Sequence, residues 1–137
     1  MATEKVRVLI VDDEKSVRKL ISRVLGSKGY DCSTAADGTE ALQRLAMKSF
    51  DVVLLDIRMP DISGMEALPR ISAGYPDVCV IMLTAVVDMN TAVEALDRGA
   101  CDYVTKPFDT EDLVMRVERA LNVKRLVREK AYSNPSD

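Results

Sequence analysis

Histidine is absent from this chain of 137 residues, and cysteine occurs only three times. The missing histidine excludes a Ser-His-Asp triad, a zinc site with histidine ligands and a histidine general base. It also means that the chain cannot carry a phosphohistidine of its own. The cysteines, Cys32, Cys79 and Cys101, are odd in number and form no CxxC pair. They are interpreted as small buried apolar residues in a reducing compartment, without a redox or metal role.

The sequence also lacks long hydrophobic runs and an excess of positive charge. No apolar run approaches the roughly 18 residues that a membrane-spanning helix needs. The first residues show neither the apolar core nor the cleavage site of a signal peptide, so we expect a cytoplasmic location. A net charge of −3 argues against affinity for nucleic acid or anionic membranes. Hydrophobic content of 47% and charged content of 30% are typical of a globular domain.

Short apolar runs and amphipathic stretches alternate along the chain. Strands are predicted at 5–11, 30–35, 51–55, 78–83 and 101–104. A helix is predicted after each strand, and this alternation predicts an α/β fold, a doubly wound parallel sheet with helices on both faces.

Local signals mark the individual helices. The first has an apolar stripe consisting of Val17, Leu20, Ile21, Val24 and Leu25. Asp37 with Glu40, and Asp109 with Asp112, have the spacing of helix-start caps. Pro69 falls inside the third helix, near 65–71, and removes a backbone donor. We therefore expect that helix to be short, kinked or delayed.

Polar side chains stand at the carboxyl ends of four predicted strands: Asp12 and Asp13, Asp56, Thr84, and Lys106. These ends meet at one edge of a parallel sheet, so the side chains should converge. Clustered carboxylates repel each other unless a cation neutralises them, and hard oxygen ligands suit Mg²⁺. An aspartate can form an aspartyl phosphate, and phosphoryl transfer needs mainly positioning and charge neutralisation. The sequence therefore predicts a magnesium-assisted phosphoryl site.

Four motifs in this order, VDDE, LLDIRMPDISG, LTA and YVTKPF, resemble the receiver domain of two-component response regulators. The resemblance covers residues 6–121. It implies a flavodoxin-like sheet of order 2-1-3-4-5 and phosphorylation by a sensor histidine kinase or a histidine phosphotransfer protein. It further implies a signalling module that is no turnover enzyme, although it assists its own phosphorylation and autodephosphorylation.

The resemblance implies a role for each residue of the site. Asp56 would be the phosphoacceptor. Asp13, Asp56 and the Arg58 backbone carbonyl would hold Mg²⁺ or Mn²⁺, and Asp12 would act through metal-bound water. Lys106 would pair with the phosphoryl group.

Further roles concern the response to phosphorylation. Thr84 would change rotamer to bind the phosphoryl group, and Tyr103 would turn inward as the switch aromatic. The small side chain of Ala85 would leave the phosphoryl group accessible. The peptide bond before Pro107 would be cis. The face formed by the fourth helix, fifth strand and fifth helix would then present a new surface to a partner.

Residues 1–121 are interpreted as the receiver domain and 122–137 as a helical extension. The extension has two interpretations, a solvated helix end or a dimerising connector to an output domain absent from this chain. A homodimer through the fourth helix–fifth strand–fifth helix face or through the extension fits the pattern. No direct binding of nucleic acid by this chain is expected.

Two other functions share parts of this pattern. A magnesium-dependent phosphohydrolase with an aspartyl-phosphate intermediate needs a second acid close after the nucleophile. Arg58 stands two positions after Asp56, and Asp61 lies too far along. A flavin-binding electron carrier needs a phosphate loop after the first strand, where Asp12 and Asp13 would repel the phosphate.

Overall fold

Strands and helices alternate through residues 5–85 and 89–133, the part of the chain that this computed structural model describes. The strands are β1 (Arg7–Val11), β2 (Asp31–Ala35), β3 (Val52–Asp56), β4 (Cys79–Thr84) and β5 (Asp102–Thr105). The helices are α1 (Lys15–Gly26), α2 (Gly38–Met47), α3 (Gly64–Gly74), α4 (Met89–Asp97) and α5 (Thr110–Ser133). The predicted alternation is confirmed, with the strand ends shifted by at most two residues.

The five strands form one parallel sheet in the order β2-β1-β3-β4-β5. This is the predicted order. The chain turns back across the sheet between β1 and β3, and such a switch point opens a crevice at the carboxyl ends of the strands. Val11 lies opposite Leu55 there, and Asp56 lies opposite Leu83.

Two hydrophobic cores cover the two faces of the sheet. Residues of α1 and α5 pack on one face with Val8 and Ile10 of β1. Residues of α2, α3 and α4 pack on the other with Leu9 and Val11. Because successive side chains of a strand point to opposite faces, burial on both faces explains the nearly continuous apolar runs of the inner strands.

The apolar stripe of α1 packs mostly as predicted. Ile21 and Leu25 are fully buried, and Val17 and Val24 are partly buried against the same core. Leu20, however, is 38% exposed, so its assignment to the buried stripe was wrong. The core-facing strip of this helix is narrower than the sequence pattern indicates.

The prediction that the cysteines are buried was also wrong. Cys32 and Cys79 are only partly buried, and Cys101 is exposed. Cys32 lies in β2, an edge strand, and Cys79 is the first residue of β4. Cys101 precedes β5. Strand ends and edges are covered less completely than strand centres, which sequence alone did not reveal.

The third helix differs from its prediction in its length and its starting point. α3 is continuous over the 11 residues Gly64–Gly74 and is neither short nor delayed, although Pro69 lies inside it. Ser63 caps its start by accepting a hydrogen bond from the Glu66 amide at 3.2 Å. Pro69 cannot donate to the carbonyl of Met65, four residues back. That carbonyl instead accepts a hydrogen bond from the Arg98 guanidinium, at 2.9 Å, just beyond α4.

The predicted helix caps are present at α2 and α5. The Asp37 carboxylate accepts a hydrogen bond from the Glu40 amide at 2.8 Å. The Asp109 carboxylate accepts one from the Glu111 amide at 2.9 Å. The Asp112 carboxylate pairs with Arg116 one turn further on, at 3.0 Å.

α5 continues past the body of the domain to Ser133, as the sequence indicated. The Lys124 ammonium lies 3.3 Å from Asp51, at the amino end of β3, and so ties the beginning of the extension to the sheet. The predicted fraying after Ser133 concerns 134–137, which lie outside the described residues. Among the described helices, none has the length and apolar character needed to cross a membrane.

Candidate functional site

The carboxyl edge of the sheet gathers the residues that the sequence had singled out. Asp56 and Thr84 are the last residues of β3 and β4, and Asp12 follows β1. Lys106 follows β5, and its amide donates to the Thr84 carbonyl at 2.7 Å. The carboxylates of Asp12, Asp13 and Asp56 offer oxygens that all lie within 4.8 Å of one another. The predicted convergence is confirmed.

Lys106 links the buried carboxylates. Its ammonium lies 2.6 Å from Asp12 Oδ2 and 3.4 Å from Asp56 Oδ2. Glu14, which the sequence analysis did not select, adds a third carboxylate at 3.7 Å. Burial works against the charge of Lys106, but its contacts with Asp12 and Asp56 raise the pKa of this amine. The site therefore keeps one fixed cation.

The three carboxylates differ in exposure. Asp12 is fully buried, Asp56 is 5% exposed and the neighbouring Thr84 is 1% exposed. Asp13 is exposed. Asp12 and Asp56 thus form the floor of the site and Asp13 stands at its rim, where solvent can reach the cluster.

Electrostatics make Asp56 an unusual carboxyl group. Burial, followed by the charge of Asp12, raises the pKa of Asp56 to about 6. The Lys106 ammonium and the Arg58 amide, which donates to Asp56 Oδ1 at 3.2 Å, act in the opposite direction. One lysine therefore does not neutralise the two buried carboxylates.

The donor set fits a hard divalent cation. Asp12, Asp13 and Asp56 supply oxygens at a spacing that one ion can bridge, and the solvent-facing rim leaves room for water ligands. Such an ion would offset the burial and the repulsion by Asp12 that raise the pKa of Asp56. Receiver domains bind Mg²⁺ at an acidic pocket of this kind.

Thr84 and Tyr103 stand on adjacent strands. Thr84 follows Leu83, the residue opposite Asp56, and lies opposite Thr105 of β5. Tyr103 is opposite Met82 and packs, partly buried, against the core beneath α2, α3 and α4. The Lys106–Pro107 peptide bond is cis, as the resemblance implied.

Gly64 is a site residue that the sequence analysis missed. A Cβ atom at this position would lie 2.2 Å from the Asp56 carbonyl oxygen and 2.8 Å from Ile57 Cα. The Gly64 amide donates to the Ile57 carbonyl at 2.8 Å. Glycine thus permits α3 to begin directly against the backbone of Asp56. Gly64 is visible in the LLDIRMPDISG motif, but the motif indicates only a loop there.

Asp61 has a structural role that was also missed. Its carboxylate accepts hydrogen bonds from the amides of Gly38, at 3.1 Å, and Thr39, at 3.0 Å, and another from the Thr39 hydroxyl. The hydrogen bond from the Thr39 hydroxyl, followed by those from the backbone, lowers the pKa of Asp61. The β3–α3 loop is therefore fastened to the start of α2, beside the site.

The fold and this edge define a class of protein. Residues 8–118 match the family model of the response regulator receiver domain, and the chain belongs to this family. It is 43% identical to the regulatory protein AtoC of Escherichia coli K12 over 90% of this chain and 27% of that protein. It is 44% identical to the DNA-binding transcriptional regulator NtrC of the same organism over 84% of this chain and 24% of NtrC.

Solved structures support the assignment. A CheY-like response regulator receiver domain protein from Methanospirillum hungatei JF-1 superposes with a TM-score of 0.86 and 30% identity. That match covers 89% of this chain and 98% of the other. The chain thus spans nearly all of a CheY-like protein but only about a quarter of AtoC and NtrC.

Proposed function

We propose that this chain is a signalling receiver in which Asp56 accepts a phosphoryl group from a sensor histidine kinase or a histidine phosphotransfer protein. The observation that carries the proposal is the Lys106 ammonium between the buried carboxylates of Asp12 and Asp56, beside Asp13. The 137 residues contain no histidine, so the phosphohistidine donor lies outside this chain. Members of this family are signalling domains. We also propose a cytoplasmic location, which is usual for the family.

Each residue of the site has a role in this proposal. Asp13, Asp56 and the Arg58 carbonyl would hold Mg²⁺ or Mn²⁺, and Asp12 would act through water bound to the ion. The ion supplies charge neutralisation for the phosphoryl oxygens. An Asp56 carboxylate oxygen attacks phosphorus, and the bond between phosphorus and the donor histidine nitrogen breaks. Lys106, already 3.4 Å from Asp56, pairs with the transferred group.

The response follows from the new charge of about −1.5 to −2. The Thr84 hydroxyl turns to hydrogen-bond the phosphoryl group, and Tyr103 moves inward behind it. The two residues belong to adjacent strands, so the change reaches the α4–β5–α5 face. That face already exposes apolar side chains on α4, where Met89 is 77% and Leu96 is 50% exposed. These properties fit a surface that binds a partner after phosphorylation.

A direct test uses acetyl phosphate and Mg²⁺ with mass detection of the intact chain. Wild type gains one phosphoryl group, which decays slowly, and Asp56→Asn gains none. Asp51→Asn is the matched control, because Asp51 precedes the same strand at its opposite end. Phosphorylation of Asp56→Asn at the wild-type level would refute the assignment.

A turnover assay with small phosphomonoesters separates the receiver from a phosphohydrolase. Steady turnover of small phosphomonoesters would favour the hydrolase. Asp61, the next acidic residue along the loop, is held by the amides of Gly38 and Thr39. It is therefore engaged at the start of α2 and does not serve as a second catalytic acid in this arrangement.

The extension 122–137 is proposed as a connector that promotes dimerisation and leads to an output domain. This proposal is supported by three apolar side chains on α5 that the described part of the chain leaves largely exposed: Val123, Leu126 and Val127, at 54%, 55% and 64% exposure. The α4–β5–α5 face is the second candidate for a homodimer. Gel filtration with and without 122–137 tests the connector, because a solvated helix end would leave the oligomeric state unchanged.

A further inference from the structure

Two cysteines lie together at the end of the sheet opposite the acidic site. Cys79 begins β4, and Cys101 directly precedes β5, its neighbour in the sheet. Ile81 lies opposite Asp102, so the register continued by one step places Cys101 beside Val80. The Cys101 amide donates to the Val80 carbonyl at 2.7 Å. Cys101 lies just before β5, outside the regular pleat, so the alternation of strand side chains does not turn its thiol away from Cys79.

The backbone spacing permits a disulfide, and the two thiols are close enough to share a hydrogen bond. Adjacent strands lie about 4.8 Å apart and rise about 3.3 Å per residue, which puts diagonal Cα atoms roughly 6 Å apart. Disulfides form across Cα separations of about 4.4–6.8 Å. Both cysteines also line one cavity of about 420 Å³ beneath α5. Cys101 is exposed and Cys79 is half-buried, so a small oxidant can reach the pair.

The surroundings shift the pKa values of the two thiols in opposite directions, so one thiol is the nucleophile and the other supplies a proton. Interaction with the Cys79 thiol lowers the pKa of Cys101 to about 6, and the nearby Lys124 acts in the same direction. Interaction with Cys101, followed by burial, raises the pKa of Cys79. An exposed thiolate beside a protonated thiol is the arrangement that starts thiol–disulfide exchange.

We propose that Cys79 and Cys101 form a reversible dithiol–disulfide modification site that takes a low-molecular-weight disulfide as its oxidant. The Cys101 thiolate attacks one sulfur of the oxidant, whose sulfur–sulfur bond breaks and releases one thiolate. The Cys79 thiol gives its proton to that thiolate. Its own sulfur then attacks Cys101 Sγ and displaces the second small thiolate, which takes a proton from water. The protein loses two electrons and the oxidant becomes two thiols.

Cys32 provides an internal comparison. It lies in β2, at the edge of the sheet opposite β5. Burial, followed by the charge of Asp31, raises the pKa of its thiol. The pKa of Cys101 is lowered and its side chain is exposed, whereas the Cys32 side chain is only partly exposed, so Cys101 is the more reactive thiol at pH 7. Iodoacetamide should therefore modify Cys101 faster than Cys32.

The test incubates the full chain with glutathione disulfide, blocks free thiols with iodoacetamide and maps the peptides by mass spectrometry. We expect a Cys79–Cys101 linkage, an alkylated Cys32 and complete reversal by dithiothreitol. Cys32→Ser should form the same linkage at the same rate. Cys79→Ser should stop at a mixed disulfide on Cys101, and Cys101→Ser should form no linkage.

Two results would overturn the proposal. One is a folded wild-type chain in which the mixed disulfide on Cys101 persists without passing to Cys79. The other is modification of Cys32 at a rate equal to that of Cys101. Urea unfolding of the oxidised wild type gives a readout that needs no variant. The urea midpoint should rise on oxidation and return to its original value on reduction. A midpoint that stays unchanged or falls on oxidation would contradict the proposed Cys79–Cys101 disulfide.

Discussion

The raised pKa of Asp56 predicts how stability depends on pH. The pKa rises from 3.8 to about 6 in the folded protein, so the native state binds a proton more tightly than the unfolded chain does. Stability contributed by this group therefore falls as pH increases from about 4 to above 6. Each pKa unit corresponds to about 1.36 kcal/mol, so the ionised Asp56 lowers the free energy of unfolding at neutral pH by about 3 kcal/mol. The Asp56 side chain is only 7% exposed, so solvent screening reduces this little.

Asp56→Asn should remove the penalty. Lys106 keeps its 2.6 Å contact with Asp12 in the variant, so the ammonium is not left unpaired. In EDTA at pH 7.5, we expect the variant to be more stable than wild type by up to about 3 kcal/mol. The difference should shrink to nearly zero by pH 3.5, below the unfolded-state pKa of 3.8. Urea unfolding curves recorded every half pH unit measure it.

Mg²⁺ supplies the control for the same experiment. An ion bound by the carboxylates stabilises wild type, by about 2.7 kcal/mol at a hundredfold excess over its Kd. The Asn variant loses one ligand and should gain much less. If Asp56→Asn is less stable than wild type at pH 7.5 in EDTA, or if the difference does not vary with pH, the electrostatic reasoning is wrong.

Three further substitutions test contacts around the site. Gly64→Ala places a Cβ 2.2 Å from a backbone oxygen and should cost about 2 kcal/mol or more in urea unfolding. Gly74→Ala, in the same helix with nothing within 4 Å, should be neutral or slightly stabilising, and equal losses would refute the close-approach argument. Arg98→Ala should lower the free energy of unfolding by about 1 kcal/mol. In a Pro69→Ala background the loss should be smaller, because the restored amide at position 69 can donate to the freed Met65 carbonyl. A double-mutant cycle without coupling would contradict this explanation. Asp61→Ala should lower the urea midpoint at pH 7. That deficit should shrink below the unfolded-state pKa of 3.8, because the folded-state pKa of Asp61 is lowered, and a deficit independent of pH would argue against a charged cap.

Much of the fold was predictable because its signals are local. Strands buried on both faces need continuous apolar runs, and the segments around Val8, Val53 and Ile81 have them. Polar residues at the strand ends also indicate the acidic edge from the sequence alone. Asp12, Asp56 and Lys106 could be placed together because parallel strands present all their carboxyl ends on one side.

The errors have a common physical origin in contacts between distant segments. Pro69 disrupts an isolated helix, but the Arg98 side chain from beyond α4 satisfies the carbonyl that the proline leaves. Leu20 fits a helical stripe, yet the surrounding elements leave it 38% exposed. Local propensity contains no information about which distant side chain will contact a residue or how much of its surface that contact will bury.

The sequence by itself determined the alternation of elements, the sheet order through its family motifs, and the convergence of carboxylates with one lysine. Tertiary structure alone decided the exposure of each carboxylate and hence the raised pKa of Asp56, because burial depends on the whole packed chain. It also brought Cys79 beside Cys101 and Asp61 to the start of α2. These pairs are separated by 22 and 23 residues of sequence, and only the register of the strands and the path of the loops brings them together.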